Sequence, residues 1–93
     1  MKAIWNDQII AESDDTIIIE NNHYFPKESV NETFIKSTDS HTVCPWKGQA
    51  HYYDLVVNGN INNDAAWYYP APSLAAQHIK DYVAFWKGVT ITE

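Results

Sequence analysis

The sequence predicts a mainly β fold of the α+β class, in which compact antiparallel meanders and hairpins form a barrel-like or tent-like body with one short helix around residues 73–81. Short β-branched and aromatic runs predict the strands. Asparagine, aspartate and glycine separate these runs and predict tight turns, because these residues tolerate a left-handed backbone. Only one segment of the chain has the apolar spacing of a helix.

The first third of the chain is typical of a β-meander. Three short strands are predicted, AIW, QIIAE and TIIIE at residues 3–5, 8–12 and 16–20, separated by the turn sequences ND and SDD. Asn21-Asn22 predicts a further turn into the strand HYF, which Pro26 ends. A helical turn in PKESVNE and a strand in TFIKS are expected to follow.

The strongest hairpin signal is Asn58-Gly59, the preferred pair for a type I′ turn. The arm before it alternates, so that one face would carry His51, Tyr53, Leu55 and Val57. The arm after it begins polar and becomes aromatic only at Trp67. Regular pairing would fail there, and we expect a β-bulge near Asn62 to Asp64.

The predicted helix follows Pro70 and Pro72, which end the aromatic strand. Ser73 is the expected N-cap, because its hydroxyl can accept from a free amide of the first turn. The apolar stripe would consist of Leu74, Ala75, His78, Ile79 and Tyr82. Two last short strands, in YVAFW and VTIT, are expected on either side of Lys87-Gly88.

Composition limits the function. Ninety-three residues predict a single domain spanning 1–93, since a core of this size does not divide. The net charge of −6 and the absence of arginine argue against nucleic acids and anionic membranes as partners. A single cysteine, no apolar run of about 18 residues and no secretory leader predict a cytoplasmic protein.

No metal or cofactor is expected from the motifs. The three glycines are far apart, which excludes glycine-rich phosphate loops, and cysteine and histidine are not clustered at ligand spacing. The alternative to a chain without a metal is an ion shared by His41 and His51, the one pair of histidines for which this is geometrically possible.

The segment CPWKG, Cys44–Gly48, is the best candidate for a functional site, together with the tyrosines and tryptophans that follow it. Six aromatic residues with polar groups lie on segments that are expected to be neighbours: Trp46, Tyr52, Tyr53, Trp67, Tyr68 and Tyr69. They are hard to satisfy inside a small core, because each polar group needs a partner when it is buried. We therefore predict an aromatic groove that binds a small molecule or a protein. Its expected residues are His41, Trp46, Lys47, Tyr53, Trp67 and Tyr68.

Two other functions remain open at this point. A small enzyme could use Cys44 or Lys47 as nucleophile with His41 as base, although no catalytic residue is assigned. A self-associating interaction domain could use an exposed aromatic patch or a strand edge. The chain is expected to be either a monomer or a weak homodimer.

The same motifs resemble a widespread bacterial family of small domains of unknown function, number 427 in its series, which is also labelled NTP_transf_9. The resemblance covers nearly the whole chain and is most specific at Cys44–Gly48, Tyr52-Tyr53, Ala66–Pro70 and Tyr82–Phe85. It implies a compact, mainly β domain with one helix and no agreed activity.

The residues do not support the nucleotidyl transfer that this label suggests. Such enzymes resemble one another in a Gly-Ser turn followed by paired aspartates that bind two magnesium ions. This chain has no Gly-Ser, and Asp14-Asp15 lies where a hairpin turn is predicted.

Overall fold

The computed structural model describes residues 1–93 and contains nine strands in three antiparallel sheets. The strands are β1 Lys2–Trp5, β2 Gln8–Glu12, β3 Ile17–Ile19, β4 Asn22–Tyr24, β5 Ile35–Cys44, β6 Gly48–Val57, β7 Asn60–Tyr68, β8 Val83–Phe85 and β9 Thr90–Thr92. Short 3-10 segments lie at Lys27–Ser29, Glu32–Phe34 and Leu74–Ile79. The predicted mainly β, antiparallel class is confirmed.

The largest sheet has the strand order β5-β6-β7-β8, and the others are β2-β1-β9 and the β3-β4 hairpin. The large sheet reaches the β3-β4 hairpin through a bridge between Phe25 and Val83. β5 pairs only with β6 and is a free edge. The strands therefore do not close a barrel.

Positive-φ residues at the hairpin turns explain the tight connections. Asn6 and Asp7 have φ of 50° and 62°, and Asn58 and Gly59 have φ of 51° and 80°. Two successive left-handed residues are what a type I′ turn requires, which confirms both predicted turns. The β3-β4 turn is one residue earlier than expected, because Glu20 and Asn21 take the left-handed positions.

The predicted β-bulge is present in β7. Tyr53 pairs with Ala66 and Leu55 pairs with Asn62, so three residues of β7 face Asp54 alone. Asp64 takes a φ of 54°, and its backbone N–H donates to Asp54 Oδ1 at 2.8 Å. Asp54 is half-buried, and its carboxylate caps the bulge by accepting this hydrogen bond.

The expected helix is a 3-10 segment at Leu74–Ile79, broken at Ala76, whose φ of −119° is not helical. Its buried residues are Ala76 and Ile79, three apart, as a 3-10 turn requires. The predicted α-helical stripe was therefore wrong at Leu74, Ala75 and His78, which are all exposed, Leu74 to 92%. Ser73 is the N-cap residue, as predicted, but its hydroxyl donates to the Trp46 carbonyl and makes no capping hydrogen bond.

Both faces of the large sheet are covered in part, and each has its own core. The first core is Ala3, Ile10, Ala11, Phe25, Val30, Tyr53, Leu55, Val57, Ala65, Ala66, Val83 and Phe85. The second core is smaller and consists of Tyr24, Ala50, Tyr69, Ala76, Ile79 and Ala84. Side chains alternate between the two faces along a strand, so residues an odd number of positions apart point to opposite faces. Tyr53 and Ala50, three residues apart in β6, therefore belong to the first and the second core.

β5 is ten residues long, about twice the predicted strand TFIKS. The polar stretch up to Cys44 gave no strand signal and is extended because it pairs with β6. The longest helical segment has six residues, and no helix has the length and apolar character needed to cross a membrane.

A comparison of two glycines tests the packing of the β5-β6 turn. Gly48 has φ of 114°, and an added Cβ would lie 3.4 Å from the Ala71 carbonyl oxygen and 3.5 Å from Pro72 Cα. Gly59 also has positive φ, but an added Cβ would meet open space. We expect Gly59→Ala to lower the free energy of unfolding by about 1 kcal/mol. Gly48→Ala should lower the free energy of unfolding by about 2–3 kcal/mol, measured by urea denaturation. Equal losses in the two variants would contradict the close contact of Gly48 with Ala71 and Pro72.

Candidate functional site: an aromatic pocket on the second-core face

A pocket opens on the face of the large sheet that carries the second core. Its volume is about 170 Å³, and it is lined by Lys47, Tyr52, Trp67, Tyr69 and Trp86. We call these five residues the aromatic pocket. Four aromatic rings and one cation are the composition expected of a ligand pocket, in which a few polar groups are placed among hydrophobic and aromatic side chains.

Strand register brings the rings together. Tyr52 of β6 pairs directly with Trp67 of β7, so the two side chains share a face. Tyr69 lies two residues further along and points to the same side. Trp86 follows β8, and its ring meets Trp67 edge to face with centroids 5.7 Å apart. A further edge-to-face contact, between Trp67 and Tyr24 at 6.2 Å, supports the pocket floor from the second core.

Hydrogen bonds hold three of the rings in fixed orientations. Trp67 Nε1 donates to the Tyr24 hydroxyl at 3.2 Å, Trp86 Nε1 donates to the Asp64 carbonyl at 2.5 Å, and the Tyr52 hydroxyl bonds Thr42 Oγ1 at 2.8 Å. These polar groups are thus already paired within the chain. Two other polar groups lie on the pocket wall: the hydroxyl of Tyr69 and the ammonium of Lys47, which pairs with Glu20 from outside the pocket lining.

The turn between β5 and β6 carries Lys47 into the pocket. Gly48, in a left-handed conformation, lets the turn lie against residues 71–73. Ser73 fixes this contact twice, through its backbone N–H to the Lys47 carbonyl at 2.9 Å and through its hydroxyl to the Trp46 carbonyl. The segment after the aromatic strand therefore acts as a clamp on the turn.

Lys47 is buried to an extent that is rare for lysine, with only 6% of its surface exposed. Its ammonium pairs with the Glu20 carboxylate, which comes from the β3-β4 turn. The nitrogen also lies 5.3 Å from the Trp46 ring centroid and 5.6 Å from that of Tyr69. Two ring faces and a carboxylate together replace the water that burial removes.

The surroundings keep Lys47 protonated. Desolvation is the largest influence on its pKa and lowers it, but the hydrogen bond to Glu20 and the negative charge that Tyr24 and Tyr69 acquire on ionisation outweigh it. The pKa of Lys47 is raised as a result. An amine in this state is a cation at neutral pH and a poor nucleophile.

Tyr69 is also perturbed. It is 4% exposed, and burial raises the pKa of its hydroxyl to about 12, against the attraction of the nearby Lys47 ammonium. A tyrosine that stays protonated throughout the physiological range is a hydrogen-bond donor to a ligand rather than an anion.

The six residues predicted from sequence fall on both faces of the large sheet. Lys47 and Trp67 line the aromatic pocket, and Trp46 lies beside it against the Lys47 ammonium. The three others are on the first-core face: the rings of Tyr53 and Tyr68 stack at 4.6 Å, and His41 contacts His51. The expectation of a single groove was wrong, because Trp67 and Tyr68 are consecutive in a strand and must point to opposite sides.

Cys44 and His41 do not form a pair. They are three residues apart in β5, so one side chain lies on each face. Cys44 is half-buried and packs against the second core, while His41 is exposed on the other side. The geometry that an imidazole-activated thiol needs is absent.

Sequence analysis missed Glu20 and Trp86, and it counted Tyr52 and Tyr69 among the aromatic residues of the region without assigning them to the site. Strand periodicity could have identified Tyr69, which is two residues from Trp67. Tyr52 and Trp86 require strand register, and Glu20 requires knowledge of which turn lies beside Cys44–Gly48. No local pattern carries that information.

A second pocket, of about 270 Å³, lies between Lys27, Glu32, Ile35, Ser37 and Tyr53. It is larger but contains only one aromatic ring, and charges of both signs line it. Its lysine and glutamate are both exposed, so they are already solvated by water. The aromatic pocket is the better candidate for a site that discriminates between ligands.

These features define a small antiparallel β domain with an aromatic pocket around a buried lysine. The chain belongs to the NTP_transf_9 family, described as a domain of unknown function (DUF427), whose model matches residues 1–92. The family predicted from the motif Cys44–Gly48 is thereby confirmed. No curated protein matches the chain.

The raised pKa of Tyr69 predicts an alkaline instability. An unfolded tyrosine ionises near pH 10.0 and Tyr69 in the fold near 12, so between these values the unfolded chain has lost a proton that the folded chain keeps. Stability therefore falls as pH rises through this window. Absorbance at 295 nm reports tyrosine ionisation, so the difference between the native chain and Tyr69→Phe isolates the titration of Tyr69. We expect its midpoint near pH 12, and a midpoint near pH 10 would contradict the burial of the Tyr69 hydroxyl.

Proposed function

We propose that this domain binds a small planar ligand in the aromatic pocket, and that the ligand carries an anionic or hydrogen-bond acceptor group that Lys47 recognises. The observation that supports this most is a protonated, almost buried lysine among four aromatic rings. The rings provide faces for stacking, and the ammonium provides one directed charge.

Pocket size restricts the ligand. A volume of about 170 Å³ is smaller than the roughly 300–1,000 Å³ of sites for drug-sized molecules. One ring or a fused pair of rings is therefore the expected size. Trp86 lies at the rim with 46% of its surface exposed, so a larger molecule would leave its remainder in solvent beside this ring.

Charge restricts the ligand further. The side chain of Glu20 is 56% exposed and pairs with an ammonium that is 7% exposed. An anionic ligand can replace Glu20 as the partner of the ammonium, because the buried charge then keeps a countercharge while the exposed Glu20 carboxylate turns into solvent. A cationic ligand would instead meet Lys47 at the pocket wall.

The other two functions receive less support. The thiol of Cys44 and the imidazole of His41 lie on opposite faces of the sheet, and the raised pKa of Lys47 disfavours its neutral form. Self-association through β5 has one favourable observation, since this free edge exposes 76% of Val43. Charged residues on the same strand, Lys36 and Asp39, oppose edge-to-edge pairing.

Binding can be tested with matched small aromatic probes. We expect indole-3-carboxylate to bind more tightly than indole-3-carboxamide, and benzyltrimethylammonium to bind least. The indole N–H signals of Trp67 and Trp86 should shift in ¹H–¹⁵N NMR titrations. Trp86→Ala should weaken binding by about tenfold, since a stacked ring is worth about 1–1.5 kcal/mol. Leu74→Ala removes an exposed apolar residue outside the pocket and is the control.

Two lysine variants isolate the charge. Lys47→Met should abolish the preference for the carboxylate over the carboxamide, whereas Lys87→Met should keep it. Lys87 is a matched control because its ammonium also lies over a pocket ring, 5.0 Å from the Trp86 centroid, but on the outside. A preference that survives Lys47→Met, or probes that shift only residues of the first-core face, would refute the proposal.

A further inference from the structure

We propose that His41 and His51 form a binding site for a divalent transition metal that prefers imidazole, such as copper, nickel or zinc. The two residues pair directly across β5 and β6 on the first-core face. The site is separate from the aromatic pocket, which lies on the other face, and does not depend on the function proposed for it.

The ring geometry fits a shared metal. The imidazole centroids are 4.2 Å apart and the ring planes meet at 70°. Two imidazoles bound at about 2.0–2.1 Å to one metal, with the nitrogens near a right angle, place their ring centres about 4–5 Å apart. The two rings lie within this range of separations, and because they meet edge to face, rotation about the side-chain torsions would turn one nitrogen of each toward a shared ion.

The side chains are also accessible and held. His41 is exposed and His51 is half-buried, which leaves room for water to complete the coordination sphere. The Tyr68 ring lies 5.7 Å from the His51 ring and limits its rotation. Tyr68 in turn stacks on Tyr53, so the pair stands on a row of packed rings anchored in the first core. Rigid β-strands fix the distance between the two ligands better than loops would.

The donor set determines the kind of metal. Two neutral imidazoles suit copper, nickel and zinc, whereas magnesium and calcium prefer oxygen ligands. No third histidine, cysteine, aspartate or glutamate joins the pair within ligand distance. The site therefore has two protein ligands with open positions, which is the arrangement of an exchangeable site rather than a closed structural one.

Titration with metal ions tests the proposal. In the Cys44→Ser background, which removes the thiol from competition, calorimetry should show one Ni²⁺ bound per chain and no comparable Mg²⁺ binding. His41→Ala and His51→Ala should each weaken Ni²⁺ binding by at least about tenfold. The double variant should lose less binding free energy than the sum of the two single losses, because chelation couples the two ligands. His78→Ala removes an exposed histidine elsewhere and should change nothing.

A spectroscopic readout separates chelation from loose binding. Electron paramagnetic resonance of bound Cu²⁺ should show two equivalent imidazole nitrogens in the parent chain and one in His41→Ala. Because His41 is exposed, this variant should remain folded, which its melting temperature without metal will verify. A single nitrogen in the parent chain, or equal affinity in the His41→Ala and His78→Ala variants, would overturn the proposal.

Discussion

The ion pair between Lys47 and Glu20 is the interaction on which the aromatic pocket depends. An ammonium with 6% exposure cannot remain charged without partners, because burying an unpaired ion costs several kcal/mol. Glu20 supplies the countercharge from a different hairpin, and Trp46 and Tyr69 supply ring faces. The same contact joins the β3-β4 turn to the β5-β6 turn and so positions the wall of the pocket.

Covering both faces of one sheet lets a chain this small carry two different surfaces. Tyr52 and Trp67 point toward the second core and the pocket, while Tyr53 and Tyr68 point toward the first core and the histidine pair. The bulge at Asp64 changes the register between these rings and the Asn58-Gly59 turn. Without it, Tyr52 would pair with Ala65 instead of Trp67, and the two rings of the pocket would not lie side by side.

Local chemistry was enough to predict the turns and the bulge. Asn58-Gly59 and Asn6-Asp7 can take left-handed conformations whatever surrounds them, and the polar start of β7 conflicts visibly with the arm it pairs with. The helix at 74–79 was predicted with the wrong period, because its apolar residues fit an α-helical stripe equally well. Two nearby prolines and the left-handed Asp81 leave room only for 3-10 turns.

The site was predictable only in part. CPWKG did locate Lys47, but the partner Glu20 lies 27 residues away in sequence and meets it through tertiary packing. The prediction placed Trp67 and Tyr68 in one groove, although consecutive residues of a strand point to opposite faces. The position of Trp86 beside Trp67 depends on the pairing of β7 with β8, which no sequence pattern specifies.

The titration of the Lys47 side chain tests this account most directly. NMR of the lysine Cε and Hε signals, assigned with Lys47→Met, measures its pKa in the folded protein. A midpoint above the usual 10.5 is the expected result, since Glu20 and the tyrosines favour the charged ammonium. A midpoint below 10.5 would mean that desolvation prevails, and it would contradict the role of Lys47 as a fixed cation for ligand binding.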